Sequence, residues 1–314
     1  MPDASVIIAN WNGAHLLPGC LDALRRQTWR DFETVVVDNG SKDDSLALLA
    51  RDYPEVRVVA LTENLGLAGG TNVGICATTA PLVVTLNNDT EVDPSWLGEL
   101  VVALDAHPEA GSAASKMLLF DRRDVIHSAG DFYRLDGRPG NRGVWESERG
   151  RYAEPELVFG ACAGAAAYRR SMLDDVGLFD ASFFMYCEDV DLAFRGQLLG
   201  YRCIYVPTAI VYHMLSASGG GSLASYYCGR NFLRVIARDI PGPLLRRTWP
   251  RIALAQLRQA AAALRHVREP AARATLRGQW DGLRELPRLL GQRRAIQARR
   301  RVPIRYLRSI MVAP

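Results

Sequence analysis

The chain has 314 residues, 48% of them apolar and 23% charged, with a formal charge of +4 when His is neutral. That excludes a disordered, collagen-like or coiled-coil protein and allows one large domain or two of moderate size. Six scattered cysteines (Cys20, Cys76, Cys162, Cys187, Cys203, Cys228) include no CxxC pair, so a zinc or disulfide framework is not expected and free thiols in a reducing compartment are.

The start, MPDASVII, enters an apolar run with no basic stretch before it, so no secretory signal is expected. Residues 5–9 (SVIIA) read as a buried strand. Residues 15–28 read as a helix with Leu16, Leu17, Leu21 and Leu24 at helical spacing. Strands follow at 32–37, 56–61 and 82–86, separated by helices at 43–52 and 68–78. Continuous Val/Ile/Leu runs between helices indicate a parallel sheet covered on both faces. Ligands of such sheets bind at the carboxyl ends of the strands. Polar clusters fall at those ends: Asn10-Trp11-Asn12-Gly13, Asp38-Asn39-Gly40-Ser41, Glu63-Asn64-Leu65-Gly66 and Asn87-Asn88-Asp89-Thr90-Glu91. Turn chemistry accounts for one such cluster. Four in succession at one sheet edge point to a binding site.

Asp38 is placed to accept hydrogen bonds from a base or ribose, or to make an Asx turn into the next helix. The stretch Gly66-Leu67-Ala68-Gly69-Gly70-Thr71-Asn72 opens a helix whose N–H groups could approach phosphate. It is neither G-x-G-x-x-G nor a phosphate loop with its Lys, which argues against a dinucleotide oxidoreductase and a P-loop enzyme. Asp89 and Glu91 offer oxygen ligands of the kind hard cations such as Mg²⁺ or Mn²⁺ take.

Residues 120–155 are polar and rich in Gly and Arg, and a mobile loop or flap is expected there. A strand is expected within 158–168, a helix over 188–199, and short strands at 203–206 and 210–212, the last followed by His213. Three acids, Glu188, Asp189 and Asp191, start the helix after the apolar run Phe183-Phe184-Met185-Tyr186. Acids there cap a helix. An acid on an apolar wall is also a candidate general base, because burial raises its pKa toward the working range. From Leu223 the pattern is helical to the end, broken at Pro241, Pro243, Pro250, Pro270, Pro287 and Pro303.

Charge is uneven along the chain. Residues 1–228 hold 18 Lys+Arg and 30 Asp+Glu, a balance of −12, whereas residues 229–314 hold 20 Arg, no Lys and 4 acids, a balance of +16. An acidic body with a basic tail suggests that the tail meets an anionic surface. Leu283, Leu286 and Leu290, then Ile304, Leu307 and Met311, are the candidate apolar faces of helices lying on a membrane. Sparse aromatics argue against nucleic acid as the partner.

In this order the segments VIIANWNG, VVVDNGSKDDS, ENLGLAGGTNVG, LNNDTEVDP, FGACAGAAAYRR, VGLFDASFFMYCEDVDLAFR and VPTAIVYH resemble family 2 glycosyltransferases. The resemblance spans about residues 4–235 and is strongest to the rhamnosyltransferase-like branch that builds bacterial surface polysaccharides. It implies a GT-A fold, a mixed and mostly parallel sheet with helices on both faces, here with a C-terminal helical extension. The implied division is a transferase domain over 1–235, with a nucleotide-sugar half to about 118 and an acceptor half from about 119, then a basic helical tail over 236–314. The implied activity is inverting transfer, from a dTDP- or UDP-sugar, to a glycan or polyprenyl-linked acceptor at the cytoplasmic face of the cell membrane. Carried over by residue, Asn10 and Asn12 would line the nucleotide pocket and Asp38 would hold the base. Asn64, Gly69, Asn72 and Asn88 would border the nucleotide sugar. Asp89 and His213 would hold Mn²⁺ or Mg²⁺, Asp189 would be the general base, and Glu188 would meet the acceptor. Trp145, Phe184 and Tyr186 are candidates for stacking on sugar. One departure stands out: the family's DxD motif reads Asn87-Asn88-Asp89, one carboxylate fewer, which suggests a weaker metal site or reliance on Glu91. The alternative is a nucleotide-sugar-binding protein whose transferase activity has decayed at Asn87.

Overall fold

Apolar β-branched runs alternate with short helices through the first third of the chain. In the computed structural model, which describes residues 2–215 and 220–313, they form β1 (Ala4–Asn10), α1 (Leu17–Arg25), β2 (Phe32–Asp38), α2 (Ser45–Asp52), β3 (Arg57–Ala60), α3 (Gly66–Cys76) and β4 (Leu82–Leu86). β1 pairs in parallel with β2 and β4, and β2 with β3. Successive side chains of a strand point to opposite faces. Val6 and Ile8 therefore enter one core layer, whereas Ile7 enters the other with Val35, Val37 and Val83. The glycines of α3 serve this packing: a Cβ at Gly74 would lie 2.3 Å from Ile7 Cγ2. Close approach of helix to strand outweighs the poor helix propensity of glycine.

The chain continues through β5 (Thr90–Val92), α4 (Trp96–Ala106), β6 (Ala110–Leu119), β7 (Ile126–Ala129), β8 (Asp131–Tyr133), β9 (Pro139–Asn141), β10 (Glu156–Val158), β11 (Ala165–Arg169), α5 (Arg170–Val176), α6 (Glu188–Leu199) and β12 (Arg202–His213). β11 inserts antiparallel between β4 and β6, and β12 runs parallel to β6. The sheet order is β10-β12-β6-β11-β4-β1-β2-β3. The strand expected within 158–168 is two strands at different places in the sheet, joined by a Gly/Ala-rich passage. The two short strands expected at 203–206 and 210–212 are one strand, with a register shift between Val206 and Ile210. Pro207 lies in that shift, and proline cannot donate to a ladder. The expected loop over 120–155 contains β7 and a β8–β9 hairpin.

The rest is helical: α7 (Gly221–Arg238), α8 (Gly242–Arg265), α9 (Pro270–Arg284), α10 (Leu286–Ala298) and α11 (Ile304–Ile310). Pro243, Pro270 and Pro287 lie in first turns and Pro241 and Pro303 at N-caps, where a missing N–H costs little. Pro250 does not break the chain as expected, because α8 runs through it. Its turn is held by packing, with Leu244, Thr248, Ile252 and Ala255 buried along one face. Leu307 and Met311 are also buried, in a cluster with Phe183, Phe194 and Leu198, so that stretch is core rather than a membrane face. Leu283 closes α9 while Leu286 and Leu290 lie on α10, so the expected leucine stripe spans two helices. No helix among the described residues is long and apolar enough to cross a membrane.

Candidate active site

A cleft of about 890 Å³ opens at the carboxyl ends of β1, β2 and β4. Its floor is a polar network built by the strand ends. Asn10 is fully buried; its Nδ2 donates to Asp38 Oδ1 at 3.3 Å and Ser45 Oγ at 3.0 Å, and its Oδ1 accepts from Asn88 Nδ2 at 2.7 Å. Asp38 also accepts from the Ser41 N–H. Asn12, at φ 50°, caps the neighbouring turn through the Lys42 N–H. Asn39 Nδ2 donates to Asn64 Oδ1 at 3.0 Å and to the Gly66 carbonyl. Asn64 and Asn88 line the cleft, and Asn10 and Asp38 lie in the network behind Asn88. Gly69 and Asn72 do not line it: Asn72 holds Phe179 by both backbone groups at 2.7 and 3.1 Å.

The β5–β12 pairing sets His213 opposite Thr90 and so brings His213 beside Asp89. His213 Nε2 lies 3.2 Å from Asp89 Oδ1, both side chains are buried, and both residues line the cleft. His213 Nε2 is outside hydrogen-bond alignment in this contact. A carboxylate oxygen and an imidazole nitrogen meeting at one point fit a divalent cation that takes its remaining ligands from water and substrate phosphate. No set of three or more such groups is arranged to hold a metal alone among the described residues. Glu91 does not join them; its carboxylate pairs with Arg123 at 3.1 Å. His127 stacks on His213 with Nδ1 atoms 3.2 Å apart. Burial, then the neighbouring His213, pushes the His127 pKa down to about 3, so this second imidazole is neutral.

The opposite wall is the start of α6. Phe184, Tyr186 and Cys187 all have φ between 64° and 67°, an uncommon run for residues with side chains. Asn231 of α7 holds it, donating to the carbonyls of Phe183, Met185 and Tyr186 at 3.2, 2.9 and 2.7 Å. Gly66, at φ +77°, packs against the same run, where a Cβ would meet the Phe184 carbonyl at 2.4 Å. This scaffold delivers Glu188 and Asp189 to the cleft. Asp189 Oδ2 accepts from the Ala163 N–H at 3.2 Å and Oδ1 from the Val190 N–H at 2.8 Å. Burial raises the pKa of both Asp189 and Glu188, and for Glu188 the adjacent Asp189 adds to it. Glu188 Oε2 is buried without a hydrogen-bond partner among the described residues. Phe184 and Tyr186 line the cleft, whereas Trp145 is 62% exposed and outside it.

The family model for glycosyl transferase family 2 matches residues 5–177. The chain belongs to glycosyltransferase family 2. This family 2 glycosyltransferase is 30% identical over 243 residues to the N-acetylglucosaminyl-diphospho-decaprenol L-rhamnosyltransferase of Mycobacterium tuberculosis (strain ATCC 25618 / H37Rv), covering 70% of the chain and 79% of that relative. It is 25% identical to the succinoglycan biosynthesis protein ExoO of Rhizobium meliloti (strain 1021), covering 69% and 62%. In fold it is similar to the mannosyltransferase PcManGT from Pyrobaculum calidifontis, solved with GDP-Man and Mn²⁺, at a TM-score of 0.56 and 19% identity over 95% of the chain and 86% of that structure. The fold is thus GT-A, with a mixed, mostly parallel sheet and added C-terminal helices.

Among the residues of this glycosyltransferase's cleft and its support that sequence reading missed are His127, Asp131, Asn141 and Asn231. His127, Asp131 and Asn141 lie in the polar 120–155 segment, which reads only as a loop.

Proposed function

We propose that this protein is an inverting, metal-assisted glycosyltransferase that moves a sugar, rhamnose first among candidates, from a dTDP- or UDP-sugar to a lipid-linked or cell-surface glycan. The observation that carries this reading is that the Glu188–Asp189 pair, Asp89 and His213, three separate places in the sequence, share one cleft. The name of the mycobacterial relative, which acts on a decaprenol-linked sugar, supports the acceptor class. Asn64 and Asn88, backed by Asn10 and Asp38, would hold the nucleotide at the strand ends. Asp189 takes the proton of the acceptor hydroxyl as its oxygen attacks the anomeric carbon and the bond to the diphosphate breaks. Attack from the face opposite the leaving group inverts that centre. The two backbone N–H groups fix the carboxylate's direction, and burial raises its basicity, so the base contributes ~10²–10⁴-fold. Glu188 borders the acceptor hydroxyl. Asp89 and His213 would hold Mn²⁺ or Mg²⁺, which supplies Lewis-acid stabilisation of charge on the diphosphate.

The basic tail supports peripheral attachment to the inner face of the membrane. Residues 1–235 would carry the transfer and 236–314 the attachment. At 3.6 residues per turn, Leu254, Leu257, Ala261 and Leu264 of α8 share a solvent face. Leu257 and Leu264 are 67% and 60% exposed. Arg247, Arg251, Arg258 and Arg265 run along the border of that face. An apolar stripe edged by arginines suits an anionic lipid surface.

The deciding experiment supplies dTDP-L-rhamnose and a synthetic N-acetylglucosaminyl-diphospho-isoprenoid with Mn²⁺ and reads the product's anomeric configuration by NMR. An inverted product, and loss of divalent-dependent nucleoside-diphosphate binding in Asp89→Ala, are expected. A retained configuration, or full turnover of Asp89→Ala in EDTA, contradicts the proposal.

A further inference from the structure

The β8–β9 hairpin walls the cleft, and the reaction outlined above makes no use of it. Asp131 and Asn141 are register partners in the hairpin, and both line the cleft with Glu188 and Asp189. Asp131 is 7% exposed. Its Oδ1 accepts from Asn141 Nδ2 at 3.0 Å and Ser128 Oγ at 3.4 Å, and its N–H bonds the Gly160 carbonyl. Among the described residues no donor or cation reaches Asp131 Oδ2, and the Asn141 side chain makes no other hydrogen bond. A carboxylate this buried, without a cation and with one oxygen unused, carries an uncompensated desolvation cost. A pin for the hairpin needs only Oδ1, so Oδ2 and the free amide edge of Asn141 are left for a ligand.

We propose that Asp131 and Asn141 bind two adjacent hydroxyls of the acceptor sugar and thereby select which hydroxyl is presented to Asp189. This rests on the acceptor reading above and names the residues that recognise that acceptor. A hydroxyl both donates and accepts, as does an amide, so a carboxylate and an amide locked side by side match a pair of neighbouring hydroxyls. Among the described residues no arginine or lysine stands beside Asp131, Glu188 and Asp189 to hold a phosphate, which makes a neutral polyol the fitting occupant. Burial, then the nearby Asp189, raises the Asp131 pKa. A protonated Oδ2 donates to the same hydroxyl from which an ionised one accepts, so recognition survives either state.

The test uses the full chain and the synthetic N-acetylglucosaminyl-diphospho-isoprenoid, together with analogues lacking one sugar hydroxyl each. Asp131→Ala and Asn141→Ala should raise the acceptor Kd and KM by ~10–100-fold and leave donor affinity unchanged. Asp131→Asn should recover part of the loss. The two deoxy analogues that each lack one hydroxyl of the adjacent pair should bind the unmodified protein as weakly as the full probe binds the variants, with no further loss when the matching analogue and variant are combined. If Asp131→Ala fails to fold, Asn141→Ala, at a half-buried position, carries the same test. Unchanged acceptor Kd, or equal losses for every analogue alongside a drop in thermal stability, would overturn the inference. No binding of the probe by the unmodified protein would instead overturn the acceptor reading, and this inference with it.

Discussion

Asp189 and Asp191 are two residues apart in the first turn of α6, yet they belong to opposite electrostatic regimes. Asp191 is fully buried and fully paired: Oδ2 accepts from Arg195 Nε at 2.8 Å and Oδ1 from Arg238 at 2.6 Å. Arg238 also pairs with Asp180, and Arg195 donates to the carbonyls of Val176, Gly177 and Leu178. This cluster ties α6 to α7 and to the loop before it. Asp189 faces the cleft with Glu188 and Asp131, and no arginine or lysine pairs with any of the three among the described residues. The same side chain is a lock where cations surround it and, where only N–H groups do, the base we propose. A helix-start acid is thus not identified by its position; the charge that meets it decides.

The contrast can be broken from the lock side first. Arg238→Met leaves Asp191 with Arg195 alone and Asp180 without its cation, and should destabilise the fold by ~3–5 kcal/mol, read by urea denaturation. A loss below 1 kcal/mol would mean that the cluster holds little. Asn231→Ala takes the side-chain donor from the Met185 and Tyr186 carbonyls of the strained run, while the Phe183 carbonyl keeps Arg230 and the Met185 N–H. It should cost ~1–3 kcal/mol and, because the run aims Asp189, should lower the transfer rate more than it weakens donor binding. On the tail, Arg258→Gln and Arg265→Gln should each weaken binding to anionic liposomes by ~1 kcal/mol, with no effect on neutral ones. Equal co-sedimentation of the double variant would remove α8 from the membrane account.

The raised pKa of Asp189 has two pH consequences of known sign. Transfer needs the ionised base, so the rate should fall in acid with its limb above the ~3.9 of an ordinary aspartate. The fold favours the neutral carboxyl, so this group stabilises at low pH and that contribution is lost as pH rises through the raised value. An acid limb at the ordinary aspartate value would assign the base elsewhere.

The strand ends were legible because buried parallel strands write continuous apolar runs, and their polar termini then stand out at Asn10, Asp38, Asn64 and Asp89. Asp189 was legible from the apolar residues before it. His127, Asp131 and Asn141 were not, because their roles come from a hairpin folded over the cleft and paired across distant positions. Asn231 reads as an ordinary polar residue in a helix until the carbonyls it holds are seen. The arginines of the tail were legible as a charge imbalance, the basis for proposing an anionic partner. The expected apolar faces do not form as read, because Leu283 and Leu290 lie on separate helices and Leu307 is core.

Asp189 is the member of the pair that no cation compensates among the described residues and that we propose as the base. Asp189→Asn keeps size and removes the basic site, so donor Kd by calorimetry and single-turnover transfer rate should be measured together with thermal stability. The account predicts a rate loss of at least ~10²-fold with donor affinity and stability preserved. Collapse of donor binding with turnover kept, or a stability loss like that of Arg238→Met, would contradict it.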